Sequence, residues 1–193
     1  DSRILNHDGR DADSHATLGM TARGTPVHID RHYCEADLKI LTGLVEPHFM
    51  AGFSGGCKSI APGCAHIDTI RCFHGYEMLA DPRTATGRIA DNPFQEEVRA
   101  IGALAGCDFI CNVVLDEERR PTGIFSGDGF AAHDAAIGMA RRTATATVDR
   151  PVDICVTGCG GYPLDTTFYQ CVKGLCNAAA VTRPGGTIVA AGG

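Results

Sequence analysis

The 193-residue chain contains no Trp, and aromatic residues make up only 6% of it. It is therefore short of the large π faces on which single-stranded nucleic acids stack. Positive charge is scarce too: 17 basic against 23 acidic residues leave a formal charge of -6. That balance excludes a basic polyelectrolyte binder of nucleic acid or anionic membrane as the starting expectation. No apolar run approaches the roughly 18 to 20 residues needed to cross a bilayer, and Asp1-Ser2-Arg3 opens no signal-peptide pattern. A soluble cytoplasmic protein is expected, with neither nucleic acid nor membrane as partner. The chain lacks an initial Met, and it stops just after the apolar run Thr187 to Ala191. Both ends predict an internal piece of a longer protein.

CxxC pairs are also missing, although there are ten cysteines. Zinc-ribbon and thioredoxin motifs are thereby excluded. Several cysteines lie inside apolar runs, as in Ile154-Cys155-Val156, where a thiol behaves as a small hydrophobe. Lysine is scarcer still. Only Lys39, Lys58 and Lys173 occur, against 14 arginines. Where a plain positive charge sufficed the chain used Arg, which leaves the lysines as candidates for amine chemistry. Chance in a small sample is the competing explanation.

With 44% apolar residues the chain can bury a core. The first 25 residues are polar and turn-rich and read as a solvated loop. Pro26 to Ile29 and Ala36 to Leu44 read as strands. Ile67 to Ala80 carries apolar residues at helical spacing. Asn92-Pro93 caps an amphipathic helix whose first turn holds Glu96 and Glu97. Phe109 to Leu115 reads as a buried strand, and Phe130 to Arg142 as an Ala-rich helix. From about residue 150 the pattern becomes strand, glycine turn, helix, turn, strand: Val152 to Thr157, Gly158-Cys159-Gly160-Gly161, Thr166 to Val181, and Thr187 to Ala191. This is a βαβ unit, and its strands should be parallel. On its helix Phe168, Cys171, Val172, Leu175 and Ala179 are expected inside. The fold class is mixed α/β in two domains. Residues 1–149 would form part of an N-terminal catalytic and cofactor-attachment domain, and 150–193 the start of a Rossmann-like C-terminal domain.

The most distinctive segment runs from Pro47 to Gly63, PHFMAGFSGGCKSIAPG. Its glycines allow close backbone approach to a ligand, and it offers His48 and Lys58 ten residues apart. A phosphate-binding P-loop would need Gly where Cys57 stands and a strand leading into it, so an ATPase is excluded. GCGGY likewise fails the dinucleotide fingerprint GxGxxG. By residue type alone His74 is an ordinary histidine. Gln170 and Lys173 begin a polar stripe on the last helix, at the end where ligands of parallel sheets gather.

Taken together, LGMTARGTPVHI, EADLKILTG, PHFMAGFSGGCKSIAPG, His74, DNPFQEE and GGYPLDTTFYQCVKGLCNAA resemble the nickel-dependent lactate racemase family over nearly the whole chain. The resemblance implies an isomerase acting on a small 2-hydroxy acid, with lactate as the default substrate. Its cofactor would be nickel in a nickel-pincer nucleotide, a pyridinium-3-thioamide-5-thiocarboxylic acid mononucleotide linked to Lys58. His74 would ligate the metal, since imidazole with soft sulfur suits Ni(II). His48 would act as general acid or base on the substrate hydroxyl while the C2 hydrogen moves as hydride. Gln170 and Lys173 would face substrate, and Tyr169 would pack on the cofactor. Cofactor-synthesis and nickel-insertion proteins follow as partners. Cys57 stands where the family commonly has Arg. The competing expectations are another 2-hydroxy-acid racemase, a sugar-acid epimerase, or a non-catalytic nucleotide- or phosphate-binding relative.

Overall fold

The computed structural model describes residues 4–192. The chain divides into two compact units, Asp1–Ala144 and Thr145–Gly193.

The first unit starts with a hairpin, β1 (His15–Met20) antiparallel to β2 (Pro26–Asp30). Its first strand lies where a solvated loop was expected. Polar residues mask it in the sequence, because His15, Ala16 and Thr17 are held by backbone pairing with Asp30, Ile29 and His28 rather than by an apolar face. A short helix α1 (Arg31–Glu35) follows, capped by the Asp30 carboxylate, which accepts from the His32 and Tyr33 amides. Strand β3 (Ile40–Leu44) starts four residues later than expected. It pairs parallel to β6 (Phe109–Leu115), and β6 pairs antiparallel to β7 (Pro121–Gly127), giving a three-stranded mixed sheet. β6 has the predicted bounds. β7 was not anticipated: its alternation of small, polar and apolar residues gives a weak signal.

Between β3 and β6 lie the short antiparallel pair β4 (Pro47–His48) and β5 (Gly52–Phe53), then a 3₁₀ turn at Gly56–Ser59. The expected helix over 67–80 is broken in two, α2 (Ile67–Phe73) and α3 (Tyr76–Ala80), because His74 and Gly75 leave helical geometry between them. Helix α4 (Pro93–Ala105) closes the crossover, and α5 (Ala131–Thr143) packs against β6 and β7. One core gathers Ile29, Met50, Ile60, Phe73, Phe94, Val98, Ile101 and Ile110. A second gathers Val45, Phe53, Val114, Ala136, Ile137 and Ala140. All ten cysteines are free thiols, and Cys34, Cys57, Cys64 and Cys107 fill space in the first core.

The second unit is the predicted βαβ: β8 (Val152–Gly158), α6 (Phe168–Val181) and β9 (Thr182–Ala191), with β8 and β9 parallel. β9 begins five residues earlier than the apolar run, carried back through Pro184-Gly185-Gly186 by its pairing with Val152. Cys171, Val172 and Leu175 are half-buried and Ala178 is buried, but Phe168 and Ala179 are exposed, contrary to expectation. The helix meets a sheet of only two strands, too narrow to cover both residues.

Asn92 ties the helical layer to the segment carrying His48. Its Oδ1 accepts from the Phe94 and Gln95 amides at 3.0 and 3.2 Å, capping α4. Its Nδ2 donates to the carbonyls of Met50 and Arg88 at 2.8 and 2.9 Å. The side chain is fully buried, with both donors and both acceptor positions used. Asn92→Ala should therefore lose about 2 kcal/mol or more, the loss of a cap plus a buried Met50 carbonyl and a part-buried Arg88 carbonyl left without this donor. Urea unfolding measures this, and a change under about 0.5 kcal/mol, the usual surface range, would contradict it.

Candidate functional site

The segment from Pro47 to Gly63 folds back on itself because of contacts only glycine permits. At Gly52, φ is +76° and an added Cβ would lie 1.9 Å from the Arg88 carbonyl oxygen. At Gly56, φ is +55° and a Cβ would meet the His133 ring at 2.6 Å. The Gly56 amide donates to Asn112 Oδ1 at 2.8 Å, so a buried asparagine on β6 anchors the bend. His133, on α5 and 2% exposed, donates from Nε2 to the Ser54 carbonyl at 2.9 Å. Sequence reasoning passed over both residues, since neither belongs to a motif and each acts through a tertiary contact.

This bend brings Lys58 to His48, with Nζ 3.0 Å from His48 Nε2. His48 Nδ1 accepts from the Met50 and Ala51 amides at 3.1 and 3.2 Å. Lys58 Nζ lies 5.5 Å from the centroid of the fully buried Phe94 ring. His74 meets the same ring edge-on at 4.9 Å, and His48 stacks over it at 6.5 Å. Phe94 is thus the shared platform of His48, Lys58 and His74. The sequence marked it only as an apolar helix residue.

His74 closes α2, where its Nδ1 donates to the Ile70 carbonyl at 2.9 Å. Fixing the proton on Nδ1 leaves Nε2 with its lone pair, the arrangement of a metal-ligating histidine oriented by a backbone carbonyl. Burial holds its pKa below the ordinary value, opposed by the Ile70 hydrogen bond, and the Lys58 charge lowers it further. A neutral imidazole donor is what a nickel site requires. Among the described residues no three His, Cys, Asp or Glu side chains gather to hold a metal ion. Any metal here would take its remaining donors from elsewhere, as a sulfur-bearing group on Lys58 would provide. The donor set fits that group.

Cys57 does not join the amine. Its Sγ packs against Gly102 on α4, and burial, with Cys107 nearby, pushes its pKa up to about 11. It is an inert core thiol. A surface depression lined by Thr86 to Asp91 and Arg141 holds none of the predicted residues. Tyr169, Gln170 and Lys173 lie in the second unit, within the first two turns of α6. Tyr169 and Lys173 are exposed and Gln170 half-buried.

These features define a mixed α/β chain whose first unit presents a lysine amine between imidazoles on an aromatic floor. The lactate racemase N-terminal domain model matches residues 1–87, and the lactate racemase C-terminal domain model matches residues 147–193. The chain belongs to the lactate racemase family. It is 37% identical over 189 residues to the lactate racemase of Thermoanaerobacterium thermosaccharolyticum, covering 98% of this chain and 44% of that protein. It is 38% identical over 191 residues to the lactate racemase of Lactiplantibacillus plantarum, covering 98% and 45%. It spans less than half the length of these relatives. The solved lactate racemase apoprotein from T. thermosaccharolyticum matches with a TM-score of 0.91 at 36% identity, over 96% of this chain and 44% of that one. A Thermotoga maritima protein shares the fold, with a TM-score of 0.65 at 24% identity, over 79% and 42% of the two chains.

Burial holds the pKa of both His74 and His133 below 6.5. The unfolded chain therefore takes up protons that the folded one refuses, so stability is full above about pH 7 and falls as the pH drops through about 6.5. Each refused proton contributes up to ~1.4 kcal/mol per pH unit. His133→Gln should flatten the fall of the urea midpoint between about pH 7 and 5. An unchanged slope would contradict the assignment.

Proposed function

We propose that the protein containing this chain racemises a small 2-hydroxy acid, lactate by default, with a nickel-pincer nucleotide attached to Lys58. The observation that carries this reading is the meeting of His48, Lys58 and His74 around Phe94, in a chain of the lactate racemase family. The residue roles follow from local chemistry. Lys58 is an amine on a rigid glycine bend and serves as the tether. His74, with Nδ1 committed to the Ile70 carbonyl, offers Nε2 to nickel. When bound, the cofactor supplies an acceptor for the C2 hydrogen of the substrate as hydride, so that hydrogen need not leave as a proton beside a carboxylate.

His48 manages the proton on the substrate oxygen. Its Nδ1 lone pair is occupied by two backbone amides, so the neutral ring carries its proton on Nε2. Resting His48 is thus a proton donor, suited first to the leg in which a keto oxygen becomes a hydroxyl. The opposite leg returns the proton to the same nitrogen. Phe94 and the buried wall behind it exclude water from this side of the site. In the second unit, Lys173 and Gln170 hold the substrate carboxylate by charge and hydrogen bonds, and Tyr169 packs on the cofactor ring. The wider reading places the enzyme in the cytoplasm, served by cofactor-synthesis and nickel-insertion proteins. No helix among the described residues is long and apolar enough to cross a membrane.

The test uses the full-length protein produced with the cofactor-making proteins. L-Lactate deuterated at C2 should give D-lactate that keeps its deuterium, and rapid washout to solvent would overturn hydride transfer. Lys58→Ala should remove the cofactor adduct from the intact mass, and His74→Ala should lower bound nickel at least tenfold. Full nickel occupancy in the His74 variant would remove that residue from the site.

A further inference from the structure

Two of the ten free thiols meet at one end of the second unit's sheet. Cys159 directly follows β8, and its amide donates to the Ala191 carbonyl at 3.0 Å, which fixes its backbone against the end of β9. Cys171 stands one turn into α6. The helix approaches the strand closely because two glycines face each other there. A Cβ at Gly174 would lie 2.6 Å from the Gly158 carbonyl oxygen. One turn before Gly174, Cys171 comes down on Cys159, whose Sγ lies 4.0 Å from the Cys171 carbonyl oxygen.

A third glycine leaves the gap between the two sulfurs open. A Cβ at Gly192 would lie 3.2 Å from Cys171 Sγ and 3.5 Å from Cys159 Sγ, so both sulfurs border the same small space. Burial first, and then a hydrogen bond with the Cys171 thiol, raise the pKa of Cys159. Both residues are half-buried, within reach of a small oxidant. Neighbours in sequence offer no such pair. Cys155 precedes Cys159 by four residues, about 13 Å along an extended strand. Cys176 follows Cys171 by five, which sets the two about 140° apart around the helix.

We propose that Cys159 and Cys171 form a redox modification site, at which a hydroperoxide joins the two sulfurs in a reversible disulfide. The bond straps the Gly158–Gly161 turn to the first turns of α6, which also carry Gln170 and Lys173. In the step, one sulfur bonds to an oxygen of hydrogen peroxide as the O–O bond breaks, giving a sulfenic acid and water. The other sulfur then bonds to the first, and the sulfenic oxygen leaves as a second water. Two thiols are oxidised by two electrons in all, and one peroxide is reduced to two waters with the two thiol protons. The inference concerns the second unit alone and does not depend on the role given to Lys58.

The test treats the full-length protein with graded hydrogen peroxide, alkylates the remaining thiols with iodoacetamide and digests with chymotrypsin. Cleavage after Phe168 and Tyr169 puts Cys159 and Cys171 on separate peptides, so their disulfide is read as one joined ion. That ion should form in at least about fivefold greater yield than any other cysteine pair and disappear on addition of dithiothreitol. It should be lost in Cys159→Ser and in Cys171→Ser, each checked for folding by its urea midpoint. Amide hydrogen exchange in the Gly158–Gly161 turn should slow at least about fivefold once the bond is made. Protein unfolded in urea before oxidation should lose the preference for this pair.

Sulfinic or sulfonic acids at the two sulfurs without a joined ion would overturn the proposal. So would a joined ion that persists in Cys159→Ser, as one made by Cys155 would, or turn amides that exchange no more slowly after oxidation. An equal preference in the unfolded protein would trace the pairing to the chain rather than the fold, and would overturn it too.

Discussion

Two backbone amides aimed at one ring nitrogen set the chemistry of this site. Because Met50 and Ala51 occupy Nδ1 of His48, the ring can neither rotate nor carry its proton on that side. Beside that ring Lys58 Nζ lies 3.0 Å from Nε2, and both side chains share Phe94 with His74. That amide pair exists only because the chain reverses between β4 and β5 and because Asn92 holds the Met50 carbonyl from the start of α4. A helix cap and a histidine tautomer are parts of one hydrogen-bonded unit.

The glycine bend is held by buried polar groups. Asn112 reaches from the sheet to the Gly56 amide, and His133 reaches from α5 to the Ser54 carbonyl while filling the space beside Gly56. Buried polar contacts of this kind are directional, so they fix one arrangement where apolar packing alone would tolerate several. The bend is thereby rigid enough to hold an amine at 3.0 Å from an imidazole. Cys57 turns into the core in the same bend, so successive side chains part: the thiol anchors the loop and the Lys58 amine reaches His48.

The second unit follows a simpler logic. Its parallel strands and single helix leave Ile154, Val156 and Val189 exposed, while Gln170 and Lys173 occupy the helix turns that follow the glycine-rich connection. The first unit carries the meeting of His48, Lys58 and His74 around Phe94, and the second carries a polar stripe at the start of its helix.

Strong local signals were legible without coordinates. The Asn92-Pro93 cap, the continuous apolar strand Phe109 to Leu115 and the βαβ pattern rest on neighbours in sequence, and each stands where periodicity and capping put it. The spacing of His48, Lys58 and His74 carried the family resemblance. Elements held by distant partners were not legible. Strand β1 is polar and depends on its pairing with β2, and the break at His74 and Gly75 interrupts an otherwise helical pattern. The anchors Asn112 and His133 come from 56 and 79 residues away in the chain, bonding Gly56 and Ser54, and the platform Phe94 lies 46 residues from His48 and 36 from Lys58. By itself the sequence determined which reactive groups the protein owns and how it begins its helices, because those depend on residue type and on neighbours a few positions away. Only the tertiary structure decided that His48, Lys58 and His74 meet around Phe94 and which amides occupy Nδ1 of His48, because those contacts exist only after the chain has folded back on itself.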